Sequence, residues 1–170
     1  FMIQCAPMEE MTRDQNTSGT KSRLLRMPPQ NLDAERALLG ALILKSEAMH
    51  DVSVTVYPES FYADKHREIF RAILDIFMQG DPIDILTVTT KLKSRDLLER
   101  SGGASYITEL VESVPAASNA IYYAELVQNK SILRGLINAA DEIAEIGYSD
   151  PENIDNAMDT AEKKIYQVTN

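Results

Sequence analysis

Cysteine is nearly absent: Cys5 is the only one in 170 residues, which excludes an internal disulfide and favours a reducing compartment. Basic side chains are also scarce. Seventeen Lys and Arg face 26 Asp and Glu, for a formal net charge of -9. Residues 31–118 hold fourteen acids and nine bases, and residues 119–170 nine and four. A protein that grips DNA draws much of its affinity from Lys and Arg neutralising phosphates. Two acidic stretches therefore argue for weak or absent DNA contact, with Lys91, Lys93 and Arg95 forming only a small local cluster. Long apolar runs are missing as well, and none approaches the roughly 18–20 residues of a membrane span. The start, Phe1-Met2-Ile3-Gln4-Cys5-Ala6, is apolar but too short for a signal peptide, with no basic flank before it. A cytoplasmic protein without membrane contact is expected.

Chemistry-bearing clusters are equally sparse. His50 and His66 are the only histidines, and neither has a second ligand at the spacing a zinc helix uses. His66, beside Arg67 and Glu68, reads as a packed or capping side chain with no partner for base or metal work. Ser101-Gly102-Gly103 resembles a phosphate loop, but Ala104 stands where the Walker pattern places a Lys after its second glycine. The acid pairs Asp81 with Asp84 and Asp141 with Glu142 read as turn caps and a solvated helix face. General acid–base work would need a buried cleft to separate their proton affinities. Tyr57, Tyr62, Tyr106, Tyr122 and Tyr123 could stack on bases; in an acidic surround, packing between helices fits better. No catalytic residue, cofactor site or metal site is expected.

What the chain does contain is helical periodicity, and 44% hydrophobic residues suffice for one modest core. Residues 1–30 show no sustained period and read as a flexible leader ahead of Pro28-Pro29. Asn31 can cap a first helix, with Asp33 and Glu35 suited to its first turn and Leu32, Leu39, Leu42 and Ile43 inward. Gly40 would let another helix approach. A second helix is expected over Ser46–Val56. A third is capped by Asp64, striped by Ile69, Ile73, Ile76 and Phe77, and ended by Gly80. The fourth runs from an Asp84 cap to about Arg95, although Ile83, Ile85, Thr87, Val88, Thr89 and Thr90 also suit a strand. Gly102-Gly103 opens a fifth helix through about Ser113.

From Ser118 to Gly147 the apolar residues form two adjacent rows: Ile132, Leu136, Ala139, Ile143 and Ile146, then Leu133, Ile137, Ala140, Ala144 and Gly147. After Tyr148-Ser149-Asp150-Pro151, with Asp150 as cap and Pro151 at the first helical position, Ile154, Met158, Ala161, Ile165 and Val168 repeat the rhythm. The expected architecture is all-α: a head of about five helices over residues 31–117, then a long antiparallel helical hairpin over residues 118–170. A hairpin cannot hide both rows by itself. Pairing with a second hairpin would bury the rest, with Leu133, Ile137, Ile143, Ile146, Ile154, Met158 and Ile165 as candidates for the seam. About half of these would instead serve contacts within the chain.

The succession of short motifs resembles one family. Pro29-Gln30-Asn31-Leu32-Asp33-Ala34-Glu35 leading into Leu39-Gly40 looks like the opening of the bacterial replicative DNA helicase, the DnaB family. Phe61-Tyr62, His66, Ile69-Phe70, Pro82-Ile83-Asp84 with Thr87, Gly102-Gly103 with Tyr106 and Leu110, and Pro115, Ala117, Asn119, Tyr123-Ala124 and Val127 continue it in order. The resemblance covers residues 28 to 170 and implies the N-terminal domain alone. It further implies hairpins that pair between subunits, six domains forming a collar, and docking of the primase C-terminal helicase-binding domain. ATP and Mg would belong to a C-terminal motor domain absent from this sequence. Competing readings are a free-standing adaptor of the same fold and a DNA-contacting helical module.

Overall fold

The computed structural model describes residues 26–169, in which the regular elements are all helical. The expected leader falls largely on residues 1–25, outside the described residues. Seven α-helices follow: α1 (Leu32–Leu44), α2 (Met49–Val52), α3 (Asp64–Gln79), α4 (Ile85–Ser94), α5 (Gly103–Glu112), α6 (Ala120–Tyr148) and α7 (Ile154–Thr169).

Helix α1 lies at the centre of the head and packs against α3, α5 and α6. Asn31 caps it, its side-chain oxygen accepting from the Ala34 N–H at 3.0 Å, which satisfies one of the orphan donors of the first turn. Leu38, Leu39, Ala41 and Leu42 are fully buried in the core with Phe61, Ile69, Phe70, Ile73, Leu92 and Leu110. Leu32, expected to point inward, is exposed: it is the first helical residue, at the edge of the core. Gly40 is needed for close approach. A Cβ there would lie 2.1 Å from the Leu110 carbonyl oxygen of α5, inside the backbone itself.

Other boundaries shift for local reasons. The second helix is short: a 3-10 turn over Ser46–Ala48 leads into Met49–Val52, and Pro58 opens another 3-10 turn through Ser60. Asp64 does not cap α3. It is the first helical residue, follows an Ala63 without a capping side chain, and pairs with Arg67 at 2.8 Å. Gly80 ends α3 as expected, in the left-handed region at φ 75°. The strand alternative for residues 83–90 is excluded by a reciprocal cap. Thr87 N–H donates to Asp84 at 2.7 Å while Asp84 N–H donates to the Thr87 hydroxyl at 2.9 Å, and this pairing nucleates a helix.

Asp150 likewise loses its expected role. It takes a left-handed φ of 49° in the turn, so Pro151 stands outside the helix. Asn153 caps α7 instead, accepting from Asn156 N–H at 3.0 Å.

Candidate association surface on the helical hairpin

Helix α6 begins on the head and leaves it. Ala120, Ala124 and Val127 are buried against the core; farther along, the helix packs on α7. Gly135 keeps the two helices close, since a Cβ there would sit 3.2 Å from a Val168 methyl. Lys164 and Glu142 form an ion pair of 2.6 Å across the pair.

The proposed seam residues divide. Leu133 and Ile137 on α6 are 44% and 46% exposed, and Ile154, Met158 and Ile165 on α7 are 64%, 58% and 52% exposed. Ile143 and Ile146 are half-buried within the single chain. Of the first row's other members, Ala139 is buried but Ile132 and Leu136 remain exposed. Both helices therefore carry large apolar side chains in water, joined by Tyr148 and Tyr166. Scattered exposed aliphatics are ordinary, whereas large contiguous apolar patches are characteristic of interaction sites.

The junction of hairpin and head is polar. Arg134, on α6, donates Nη1 to the Pro29 carbonyl at 2.8 Å and Nη2 to the Ser60 carbonyl at 2.6 Å. Its guanidinium lies 5.8 Å from the centre of the Tyr62 ring. Burial pushes the Arg134 proton affinity below the usual arginine range, against the pull of nearby Glu35. The Ser60 hydroxyl donates to Gln128 at 2.8 Å. Because Pro29 is fastened to α6, residues 29 and 30 run along the fold despite their expected place in the leader. An open groove of about 730 Å³ lies beside this junction, lined by Met27, Tyr62, Arg67, Arg134, Ile137 and Asn138 among others.

A second polar cluster lies deeper. Glu35, expected only to favour the start of α1, is buried. Its carboxylate accepts from Tyr62 N–H at 2.6 Å and Ala63 N–H at 3.3 Å, and lies 2.6 Å from His66 Nδ1. His66 Nε2 shares a 2.7 Å hydrogen bond with the Tyr106 hydroxyl. His66 thus has the partners that sequence reading denied it. Arg67 completes the cluster by donating Nε to the Phe61 carbonyl at 2.8 Å. These side chains supply the backbone of residues 60–63 with the partners that neither helix nor sheet provides there. Of the five tyrosines expected between helices, Tyr62, Tyr106 and Tyr123 are partly buried, and Tyr57 and Tyr122 are exposed. Among the described residues no three His, Cys, Asp or Glu side chains gather as a metal site, and no helix is long and apolar enough to cross a membrane.

Comparison with known proteins agrees with this geometry. The family model described as DnaB-like helicase N terminal domain matches residues 27–129. The chain is 44% identical over 143 residues to the replicative DNA helicase DnaC of Bacillus subtilis (strain 168), covering 84% of this chain and 32% of that one. It is 44% identical over 144 residues to the replicative DNA helicase DnaB of Geobacillus stearothermophilus, covering 85% and 32%. The chain thus spans about a third of the length of these relatives. Its fold is similar to the crystal structure of the N-terminal domain of DnaB helicase from Mycobacterium tuberculosis, with a TM-score of 0.79 and 40% identity over 82% of this chain and 99% of that one. A structure of a DnaB-like replicative helicase and its interactions with primase matches at a TM-score of 0.68 and 23% identity, covering 81% and 31%. That likeness concerns the fold alone.

Proposed function

The chain belongs to the family of DnaB-like helicase N-terminal domains, and from that premise we propose that it is the non-catalytic collar domain of a hexameric, ATP-driven replicative DNA helicase. In this reading its hairpin associates with the hairpin of a second subunit, and the collar built from such pairs docks the C-terminal helicase-binding domain of primase. ATP, Mg and the principal DNA contacts belong to a motor domain beyond this sequence. The setting is the cytoplasm.

The observation that carries the association is the series Leu133, Ile137, Ile154, Met158 and Ile165, exposed on both helices of one hairpin. Fully burying such a side chain contributes about 1.5–3 kcal/mol. Several half-exposed ones brought together can offset the entropy of joining two chains. Primase docking rests on family membership and on the fold's likeness to a DnaB-like replicative helicase described with its interactions with primase.

The test is sedimentation equilibrium on single substitutions. Ile143→Asp is a poor probe because Ile143 is half-buried in the single chain, and its loss would disturb the hairpin itself. Ile137→Asp and Met158→Asp change side chains that stand in water in the lone chain, so a charge there costs little unless a partner covers it. Each is expected to weaken self-association at least tenfold with helicity intact. Undiminished dimer mass in both would overturn the seam. Calorimetric titration of the primase C-terminal domain into the wild-type protein tests docking separately, and no heat at micromolar concentrations would remove it.

A further inference from the structure

We infer that Arg134 is a clasp that sets the angle of the hairpin on the head. The inference is intramolecular and stands whether or not hairpins pair.

The apolar seating of α6 on the head runs through Ala120, Ala124 and Val127. Farther out, Ile132, Leu133, Leu136 and Ile137 are exposed, so the outgoing half of the hairpin gains little direction from core packing. Gln128 and Arg134 reach back to the head, and Arg134 does so to two separate segments. One guanidinium spans the Pro29 and Ser60 carbonyls at 2.8 and 2.6 Å, tying α6 both to the chain entering α1 and to the loop leading into α3. A planar fork with donors fixed in direction locks orientation as well as distance, which a point-charge ammonium cannot do. The Tyr62 ring beside it closes the third side.

The clasped loop is itself held firmly. Glu35 accepts from Tyr62 and Ala63, and Arg67 donates to Phe61. Glu35 in turn contacts His66, whose other ring nitrogen reaches Tyr106 of α5. The Ser60 carbonyl is thus a rigid anchor for Arg134. The adjoining groove leaves room beside the junction, and the hairpin is expected to tilt once the fork is released. Any event that moves the Pro29 approach or the residue 60–63 loop redirects the far end of the hairpin, in the manner of a hinge controlled at its base.

The test uses the full chain with Cys5→Ser and nitroxide labels at Thr90→Cys on the head and Glu152→Cys at the hairpin turn. Both positions are exposed. Dilution with excess unlabelled chain confines the measured distances to single molecules. The parent is expected to give one narrow distance distribution by pulsed electron resonance. Arg134→Met, which keeps the stem and removes the fork, is expected to shift or broaden it by on the order of 5 Å at unchanged far-ultraviolet helicity. Arg134→Lys is expected to do the same and decides the matter if the Met variant loses helicity. A distribution identical to the parent in the folded variant would overturn the clasp. Greater broadening in Gln128→Ala than in Arg134→Met would overturn its assignment to Arg134.

Discussion

Glu35 shows how much of the head depends on one side chain. Helical periodicity marks it as a first-turn acid on α1, and its charge does suit that helix end. Its more consequential partners are Tyr62, Ala63 and His66, the last 31 residues away in sequence. Tyr106 lies 40 residues from His66. No local pattern announces contacts at such separations, so neither the partners of His66 nor the cluster is legible before the helices are in place. Arg134 is unmarked in the sequence for a related reason: its acceptors are backbone carbonyls, which have no sequence signature. Replacing Glu35 by Ala would leave two backbone donors and a buried imidazole without their acceptor. Each such orphan costs about 1–3 kcal/mol, so Glu35→Ala is expected to destabilise the protein by about 3 kcal/mol or more. Glu35→Gln, retaining one acceptor oxygen, should lose roughly half as much. Urea denaturation followed by circular dichroism measures both, and a loss below 1 kcal/mol for the Ala variant would show that the cluster contributes little.

Helices were far more legible than the cluster because their punctuation is local. Asn31, Gly80 and the Asp84–Thr87 pair all act within a few residues, and each stands where its chemistry placed it. The errors arose where two local signals competed. Asp150-Pro151 looks like a cap and a first helical residue, yet the turn between two long helices required a left-handed residue, and Asp150 supplied it. Asn153 then took the cap. Burial of the candidate seam was less legible still, because a period of three and four places residues on a face without saying what covers that face. Ile143 and Ile154 share the pattern, yet one is half-buried and the other largely exposed. Two substitutions separate the strength of a cap from that of a close helix crossing. Asp84→Ala removes one cap and is expected to cost about 1 kcal/mol. Gly40→Ala must push α1 away from α5, because its methyl would overlap the Leu110 carbonyl. Overpacking of this kind costs about 1–3 kcal/mol, with the upper end expected where backbone is the obstacle. Equal losses in the two variants would mean that the α1–α5 crossing relaxes without strain.

For the whole molecule, charge and apolar surface point in one direction. A formal charge of -9 opposes a polyanion and fits the proposed association of the exposed hairpin rows with protein. If those rows are covered by a second copy, folding and pairing are linked and stability must depend on protein concentration. Each tenfold rise in concentration is worth about 1.4 kcal/mol per dimer, or about 0.7 kcal/mol per chain. For a domain of this size that corresponds to a rise in Tm on the order of 2 °C. The wild-type protein, melted across a hundredfold concentration range, is therefore expected to gain roughly 4 °C. Ile137→Asp should show a smaller rise over the same range, since fewer of its folded chains carry a partner. An unmoving Tm in the wild type, with sedimentation showing only monomer over the same range, would mean that no second copy covers these rows. The hairpin rows would then be a docking face for something other than a second copy.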